Sequence, residues 1–304
     1  MEFRTKVDVP SLPFQIEPFE RMLFVGSCFA DRIGRRFQEE PFTVFVNPFG
    51  VMYNPASILH TVEQLVYQDS NVSSGSRCGV QKSVCAGGDF DTIVFTLGTN
   101  HVYIEKATGQ IVDNCKKRPG YLFEERELSI DECVCYLKES IRLLRERNPK
   151  SKIILTVSPI RYAKYGFHGS QLSKAILLLA VDKLLKECDF ADSAMSYFPA
   201  YEIVMDELRD YRFYQSDMIH PSEQVVDYIW EQLMTHAFSN DTKKVLDDWQ
   251  PIKAALAHRP FNPESEEYKA FVNKTKVRMR DFQNKYGDIP QSSHFFASSL
   301  LFPK

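Results

Sequence analysis

The sequence predicts a three-layer α/β/α sandwich with a mostly parallel sheet, followed by a helical C-terminal extension. Along residues 20–240, short apolar runs typical of buried strands alternate with stretches that have apolar residues at helical spacing. This alternation favours parallel strands joined by helices that cover both faces of one sheet. Residues 241–304 show helical spacing and no strand pattern. We therefore predict one domain over 1–240 and a helical extension over 241–304 packed on it.

The first strands and helices are predicted in the N-terminal third. The apolar run over 22–26 predicts a buried strand, and the following segment has apolar residues at helical spacing. Residues 43–50 predict a second strand that ends in a Pro-Gly turn. Residues 54–68 predict a helix, with Pro55 at its first position. The continuous apolar run over 91–98 is typical of a strand in a parallel sheet.

The remaining elements continue the alternation. Residues 69–89 are rich in serine and glycine and predict a loop with a short hairpin, and 101–114 predicts another hairpin. An amphipathic helix over 129–149 precedes a buried strand over 151–159. The later predictions are a helix over 170–188, a strand or bend and short helix over 197–211, a helix over 220–238, and two helices after 241.

Composition and charge exclude several functional classes. The formal net charge is only −3, which gives no basis for binding nucleic acid or an anionic membrane. No apolar run reaches the ~18 residues of a membrane span, and the N-terminus lacks the apolar run of a signal peptide. The seven cysteines form no CxxC pair and no zinc spacing. We therefore expect a cytoplasmic protein without metal or cofactor, and the sequence carries no signal for an oligomeric state.

Ser27 and Cys28 follow Gly26 at the predicted turn from the first strand to its helix. A side chain at this position faces unpaired backbone N–H groups and the positive end of the helix dipole, which favour a thiolate and stabilise an oxyanion. Either residue is therefore a candidate nucleophile. The structural alternative is a serine that caps the helix, followed by a buried cysteine.

Asp217 and His220 are the candidate partners of that nucleophile. An aspartate three residues before a histidine can orient the imidazole, which then acts as a general base. The alternative is an aspartate cap beside a surface histidine. Gly50 and Asn100 follow two other predicted strands, where a backbone N–H and a side-chain amide could donate to an oxyanion. Both are also common turn residues.

Three further residues are candidate substrate-binding groups. His101 follows Asn100, while Arg161 and His168 lie between a predicted strand and a predicted helix. In open α/β sheets, ligands bind at the carboxyl ends of the strands, where these segments are expected to lie. The alternative is that they belong to solvated loops.

The string Gly26-Ser27-Cys28-Phe29-Ala30 spells the signature of the GSCFA family, which is related to the SGNH/GDSL hydrolases. The resemblance covers about residues 20–238 and implies a flavodoxin-like three-layer fold. Gly50 resembles the oxyanion glycine of the superfamily, and Gly98-Thr99-Asn100 resembles its Gly-x-Asn-Asp block, with His101 where aspartate is usual. Asp217 and His220 resemble its final Asp-x-x-His.

The nucleophile block departs from the superfamily pattern. Without a gap, the Gly-Asp-Ser turn of the superfamily aligns its serine with Cys28, and the apolar Phe29 supports this register. A shift by one residue would make Ser27 the nucleophile, so both residues stay candidates.

The resemblance implies a hydrolase or acyltransferase that acts on an ester, for example an O-acylated carbohydrate, through a Cys/Ser-His-Asp mechanism. Two alternatives remain. One is a non-catalytic protein of this fold that binds a small acyl or sugar ligand. The other is an interaction protein that uses its C-terminal helices.

Overall fold

A five-stranded, wholly parallel sheet lies at the centre of the protein, whose computed structural model describes residues 4–67, 89–188 and 194–287. The strands of these ranges are β1 (Arg21–Gly26), β2 (Thr43–Val46), β3 (Thr92–Leu97), β4 (His101–Glu105), β5 (Gln110–Val112), β6 (Phe123–Glu127), β7 (Lys152–Val157) and β8 (Met195–Tyr197). The central sheet has the order β2-β1-β3-β7-β8, and a second, antiparallel sheet has the order β5-β4-β6.

Helices cover both faces of the central sheet. The long helices of the described ranges are α1 (Cys28–Gln38), α2 (Pro55–Tyr67), α3 (Ile130–Arg147), α4 (Gly166–Glu187), α5 (Glu223–Ala237), α6 (Asn240–Ala257) and α7 (Glu266–Tyr286). Successive residues of β1 point to opposite faces. Leu23 and Val25 pack with α2, α3 and α4, while Met22 and Phe24 pack with α1 and α5. The predicted three-layer sandwich with a mostly parallel sheet is therefore confirmed.

The antiparallel sheet contains the predicted hairpin and one strand that was not predicted. The hairpin predicted over 101–114 is present as β4 and β5, and β6 pairs with the other edge of β4. The prediction did not include β6, because its sequence FEERE has four charged residues and little apolar alternation. The loop with a short hairpin predicted over 69–89 lies, except for Asp89, outside the described residues.

Two predicted helices have different starting points in the structure. Helix α4 begins at Gly166, four residues before the predicted start. Helix α5 begins at Glu223 instead of 220, with Ser222 as its N-terminal cap residue. The later start has a physical reason, since Pro221 forms a β-bridge with Tyr214 and is held outside the helix. His220 therefore lies in a loop.

Helix α6 contacts the C-terminal end of α1, and α7 packs on α6. The indole N–H of the fully buried Trp249 donates to the Glu39 carbonyl at 3.1 Å. The carboxylate of Glu40 is also fully buried, and it pairs with Arg36 and with Lys253 of α6. Such a buried carboxylate depends on its cationic partners. The division of the chain at residue 240 stays a prediction, as does its description as a domain and an extension.

Across the described ranges, none of the helices is both long enough and apolar enough to cross a membrane.

Candidate active site

Gly26, the last residue of β1, permits a very close approach to the neighbouring strand. Its φ is +152°, and a Cβ there would overlap the Thr96 carbonyl oxygen and lie 2.8 Å from the carbonyl carbon. The Gly26 N–H donates to the side-chain oxygen of Asn47 at 2.9 Å. Asn47 in turn donates to Asp31 of α1 at 2.9 Å. The turn after β1 is therefore fixed by the close Thr96 backbone and by the hydrogen bonds that run through Asn47 to α1.

Replacing Gly26 by alanine should destabilise the protein by roughly 3–5 kcal/mol, since the new methyl group meets backbone on a central strand. Chemical unfolding of Gly26→Ala measures the loss. Gly120→Ala is the matched control, because a Cβ at Gly120 would meet nothing within 4 Å. Equal unfolding midpoints for the two variants would contradict the expected collision.

Ser27 caps helix α1. Its side chain is fully buried, and its hydroxyl oxygen accepts the N–H of Phe29 at 3.2 Å. Its own N–H donates to the Thr96 carbonyl at 3.1 Å. These contacts satisfy an end of the helix that would otherwise lack partners.

Cys28 is the first residue of α1 and is partly exposed. Its Sγ lies 3.6 Å from the hydroxyl oxygen of Tyr53. Burial, together with the contact to Cys28, raises the pKa of Tyr53 to about 12. The Tyr53 phenol is therefore protonated at neutral pH and can donate a hydrogen bond towards the sulfur.

Asp217 and His220 form a close pair. The Oδ2 of Asp217 lies 2.6 Å from Nδ1 of His220, and its Oδ1 accepts the N–H groups of Ile219 and His220 at 2.9 and 3.0 Å. The two backbone donors, followed by the imidazole, lower the pKa of Asp217 to about 2. An ionised carboxylate only accepts hydrogen bonds, so the imidazole proton lies on Nδ1 and Nε2 is available as a base.

The loop that carries this pair is tied to α1 by Arg32. The Arg32 guanidinium donates to the Pro221 carbonyl at 2.8 Å and to the Glu223 carboxylate at 3.0 Å. Arg32 follows Cys28 by four residues, so both lie on the same face of the helix. The His220 loop is thereby held against the part of α1 that presents Cys28. The sequence prediction did not include Arg32, although its spacing from Cys28 was visible.

Arg161 holds the other side of the same loop. Its backbone N–H donates to the Ile219 carbonyl at 3.2 Å, and its guanidinium donates to the Met218 carbonyl at 3.1 Å. Its Cζ lies 4.2 Å from the centroid of the Phe167 ring, and 5.4 and 5.8 Å from those of Tyr214 and Tyr211. The structure therefore brings Arg161 next to the Asp217–His220 loop.

The two predicted oxyanion donors already have protein partners. The Gly50 N–H donates to the Asn47 carbonyl at 2.8 Å within its turn. Asn100 is fully buried, and its side-chain amide donates to the Leu128 carbonyl at 2.9 Å. Their oxyanion role stays a prediction, and it would require additional or exchanged hydrogen bonds.

The two histidines predicted to bind substrate differ in their surroundings. The His101 ring stacks on Tyr165 with centroids 3.7 Å apart, and its Nδ1 lies 3.7 Å from Glu125. Burial lowers the pKa of His101, which favours the neutral ring at neutral pH. His168 is exposed in the first turn of α4. A role of either residue in substrate binding stays a prediction.

Gly98, the partly buried Tyr162 and the fully buried Lys174 lie together next to Ser27. A Cβ on Gly98 would overlap the Tyr162 hydroxyl and lie 3.3 Å from Cβ of Ser27. The Lys174 ammonium donates to the Gly98 carbonyl at 2.5 Å and lies 4.8 Å from the centroid of the Tyr162 ring. The sequence prediction missed Tyr162 and Lys174, because they approach Gly98 only after β3 and α4 pack together.

A cavity of about 490 Å³ is bordered by Arg161. Its volume is within the range of small-molecule sites. Its wall combines aromatic rings with polar and charged groups of both signs, among them Arg161, Phe167, Gln171, Asp206, Arg209 and Tyr211. In the part of the chain that the structure describes, no three His, Cys, Asp or Glu side chains are grouped to hold a metal ion.

The five-stranded parallel sheet between two helical layers, with the Ser27–Cys28 turn at a strand end, defines a three-layer α/β protein. The chain belongs to the GSCFA family: the family model matches residues 21–77 and 81–233, and the model of the GSCFA domain protein, C-terminal domain, matches 249–295. The resemblance inferred from the motifs is therefore confirmed. No curated protein matches the chain.

Solved structures give distant likenesses. A protein of Streptococcus pneumonia, named as a proposed platelet activating factor, is 16% identical with a TM-score of 0.42, covering 72% of this chain and 84% of its own. An acetyl esterase mutant with acetate ion is 13% identical with a TM-score of 0.36, covering 66% and 70%. A carbohydrate esterase family 3 protein of Talaromyces cellulolyticus is 11% identical with a TM-score of 0.35, covering 77% and 99%.

Proposed function

We propose that this protein is an acyl hydrolase or acyltransferase that cleaves an ester, with Cys28 as its nucleophile. The observation that carries the proposal is the Asp217–His220 pair at 2.6 Å, in a loop that Arg32 ties to the helix of Cys28. Cys28 is partly exposed, whereas the Ser27 hydroxyl is buried and caps α1. These contacts favour the sulfur over the hydroxyl as the attacking atom.

In the proposed mechanism, Nε2 of His220 takes the proton of the Cys28 thiol, and the sulfur attacks the carbonyl carbon of the ester. The tetrahedral intermediate expels the alkoxide, which receives the proton from His220, and a thioester remains on Cys28. Water or an acceptor hydroxyl, deprotonated by His220, then attacks the thioester carbonyl. The C–S bond breaks, the acid or the transferred acyl product leaves, and the Cys28 thiolate regains the proton from His220. Asp217 orients the imidazole and stabilises its protonated form.

The test combines turnover with selective labelling. The wild-type protein is incubated with p-nitrophenyl esters of increasing acyl length, and separately with iodoacetamide and a fluorophosphonate. Peptide mass spectrometry then maps the labels. We expect ester turnover, and alkylation of Cys28 at least tenfold faster than that of Cys115 and Cys135, the partly exposed and exposed internal controls. Ester turnover together with a fluorophosphonate label on Ser27 would identify Ser27 as the nucleophile. No turnover and no preferred label would favour a ligand-binding protein.

The cavity bordered by Arg161 favours an O-acylated carbohydrate as the ester. Phe167 and Tyr211 are 54% and 66% exposed at this cavity, so each ring keeps a surface open to a ligand, while Arg161 covers one face of Phe167 at 4.2 Å. Aromatic faces can stack on the C–H groups of a sugar ring, while Gln171, Asp206 and Arg209 can bond its hydroxyls. Nearby charges of both signs suit a neutral ligand better than an ion.

Phe167→Ala and Tyr211→Ala should each raise the KM for an acetylated xylo-oligosaccharide about fivefold, with kcat for p-nitrophenyl acetate unchanged, because a lost ring contact is worth about 1 kcal/mol. Steady-state kinetics on both substrates measure this. Tyr121→Ala is the matched control, since Tyr121 is 74% exposed beside the small sheet. If all three variants keep the wild-type KM, the cavity does not bind the sugar.

A further inference from the structure

The Tyr162 hydroxyl is a buried polar group without a hydrogen-bond partner in the structure. A buried, unsatisfied hydroxyl carries a desolvation cost that a phenylalanine at the same position would avoid. Such a group in a folded protein calls for an explanation, and a catalytic role is one. Burial holds the pKa of the Tyr162 phenol well above its usual value, so it can donate a hydrogen bond but carries no charge at neutral pH.

The unpartnered hydroxyl lies beside the nucleophile turn. The absence of a side chain on Gly98 leaves room for the Tyr162 oxygen next to Cβ of Ser27. The Tyr162 ring meets the Tyr53 ring edge-on, with centroids 6.1 Å apart. The Tyr53 hydroxyl in turn lies 3.6 Å from Sγ of Cys28. Two protonated phenols with rings in edge-to-face contact therefore lie near the Ser27–Cys28 turn, and the hydroxyl of Tyr53 is the one that reaches Cys28.

Lys174 lies behind Tyr162 and is also fully buried. Its Nζ donates to the Gly98 carbonyl and faces the Tyr162 ring at 4.8 Å. Lys174 thereby fixes the Tyr162 ring and also the Gly98 backbone, which lies against the Tyr162 hydroxyl. Burial lowers the pKa of Lys174 well below its usual value, so holding this side chain in the core has a cost for the fold.

We propose that the hydroxyls of Tyr53 and Tyr162 form the oxyanion site of Cys28, and that Lys174 is the positioning residue that holds Tyr162 there. The proposal rests on the proposed function. When the sulfur attacks, the carbonyl oxygen gains negative charge, and the two O–H groups donate to it. When the intermediate collapses, the charge leaves that oxygen and both phenols keep their protons. This assignment is also consistent with the hydrogen bonds of Gly50 and Asn100, because the Gly50 N–H and the Asn100 side-chain amide each already donate to a protein carbonyl.

Tyr162→Phe and Tyr53→Phe test this site with p-nitrophenyl acetate as the substrate. We expect kcat to fall at least tenfold in each variant with KM within about twofold of wild type, because an oxyanion donor acts mainly on the transition state. The urea midpoint of Tyr162→Phe should equal or exceed that of wild type, since its lost hydroxyl had no partner. Tyr197→Phe is the matched control, because its hydroxyl donates to Glu202 at 2.7 Å in β8. It should lose stability and keep kcat.

Lys174→Met tests the positioning role. It should lower kcat without changing KM and without lowering the urea midpoint, a combination that a purely structural lysine would not produce. Alkylation of Cys28 by iodoacetamide forms no oxyanion, so its rate should stay within about twofold in Tyr162→Phe and Lys174→Met. Tyr53→Phe is left out of this comparison, because the Tyr53 hydroxyl lies 3.6 Å from the sulfur. If the wild-type protein turns over the ester and both Phe variants keep the full kcat, this inference is wrong while the proposed function stands. Absence of ester turnover by the wild-type protein would overturn the proposed function and the inference with it.

Discussion

Cys28→Ala should lower kcat/KM for p-nitrophenyl acetate by about 10⁴-fold or more, the largest effect that we expect from any single substitution. The loss follows from the proposed covalent step, since alanine offers no atom that can attack the carbonyl. The fold should survive, because Cys28 is partly exposed in the first turn of α1 and alanine favours a helix. Stopped-flow or steady-state ester kinetics measure the loss, and urea unfolding checks the fold.

Ser27→Ala is the matched control at the neighbouring position. It removes the oxygen that accepts the Phe29 N–H, so we expect a loss of about 1 kcal/mol in stability. Turnover should stay within about tenfold of wild type, because the buried hydroxyl takes no part in the proposed chemistry. If Ser27→Ala abolishes turnover while Cys28→Ala retains it, the serine is the nucleophile and the assignment is reversed.

The second large effect is expected at His220. His220→Ala should lower kcat about 10³-fold, since no other group in the proposed mechanism takes the thiol proton or gives it to the leaving alkoxide. Added imidazole should restore part of the rate, because the small base can occupy the vacated space. His236→Ala, in the last turn of α5, is the control and should keep full activity. A His220→Ala protein with wild-type kcat would contradict the mechanism.

Asp217→Asn should also slow the reaction, by about 10²-fold or more. The amide can present an N–H to Nδ1 and so favour the wrong tautomer of the imidazole. The backbone N–H groups of His220 and Ile219 lower the pKa of Asp217 to about 2, so its carboxylate is almost fully ionised above about pH 4. An acid limb in the pH–rate profile between about pH 4 and pH 8 therefore cannot arise from protonation of Asp217.

The architecture could be predicted because its signals are local. The apolar run at 22–26 and the helical spacing after it specify a strand and a helix without any distant contact. Alternating strands and helices then specify the parallel sheet. The start of α5 was missed because Pro221 is held by a bridge to Tyr214, which lies seven residues away and carries no helix signal.

The candidate site could be predicted only in part, because its residues come together through packing. The sequence pointed to Cys28, Asp217 and His220, but it could not separate Cys28 from Ser27. The two residues differ in burial, because at the start of α1 the Ser27 side chain is buried and Cys28 is partly exposed. Tyr162 and Lys174 come from segments far from the Ser27–Cys28 turn, and no spacing in the sequence links them to it. Long-range contacts of this kind need the folded structure.

The proposed attack by Cys28 on an acyl carbonyl is tested most directly by trapping the acyl-enzyme. Wild-type protein is mixed with excess p-nitrophenyl acetate, quenched in acid within the first turnover, digested, and examined by peptide mass spectrometry. We expect the mass of one acetyl group on the peptide that contains Ser27 and Cys28, with fragmentation that places it on the Cys28 sulfur and removal by neutral hydroxylamine, as for a thioester. Acetyl on the Ser27 oxygen, or ester turnover without any acetylated peptide, would contradict the account.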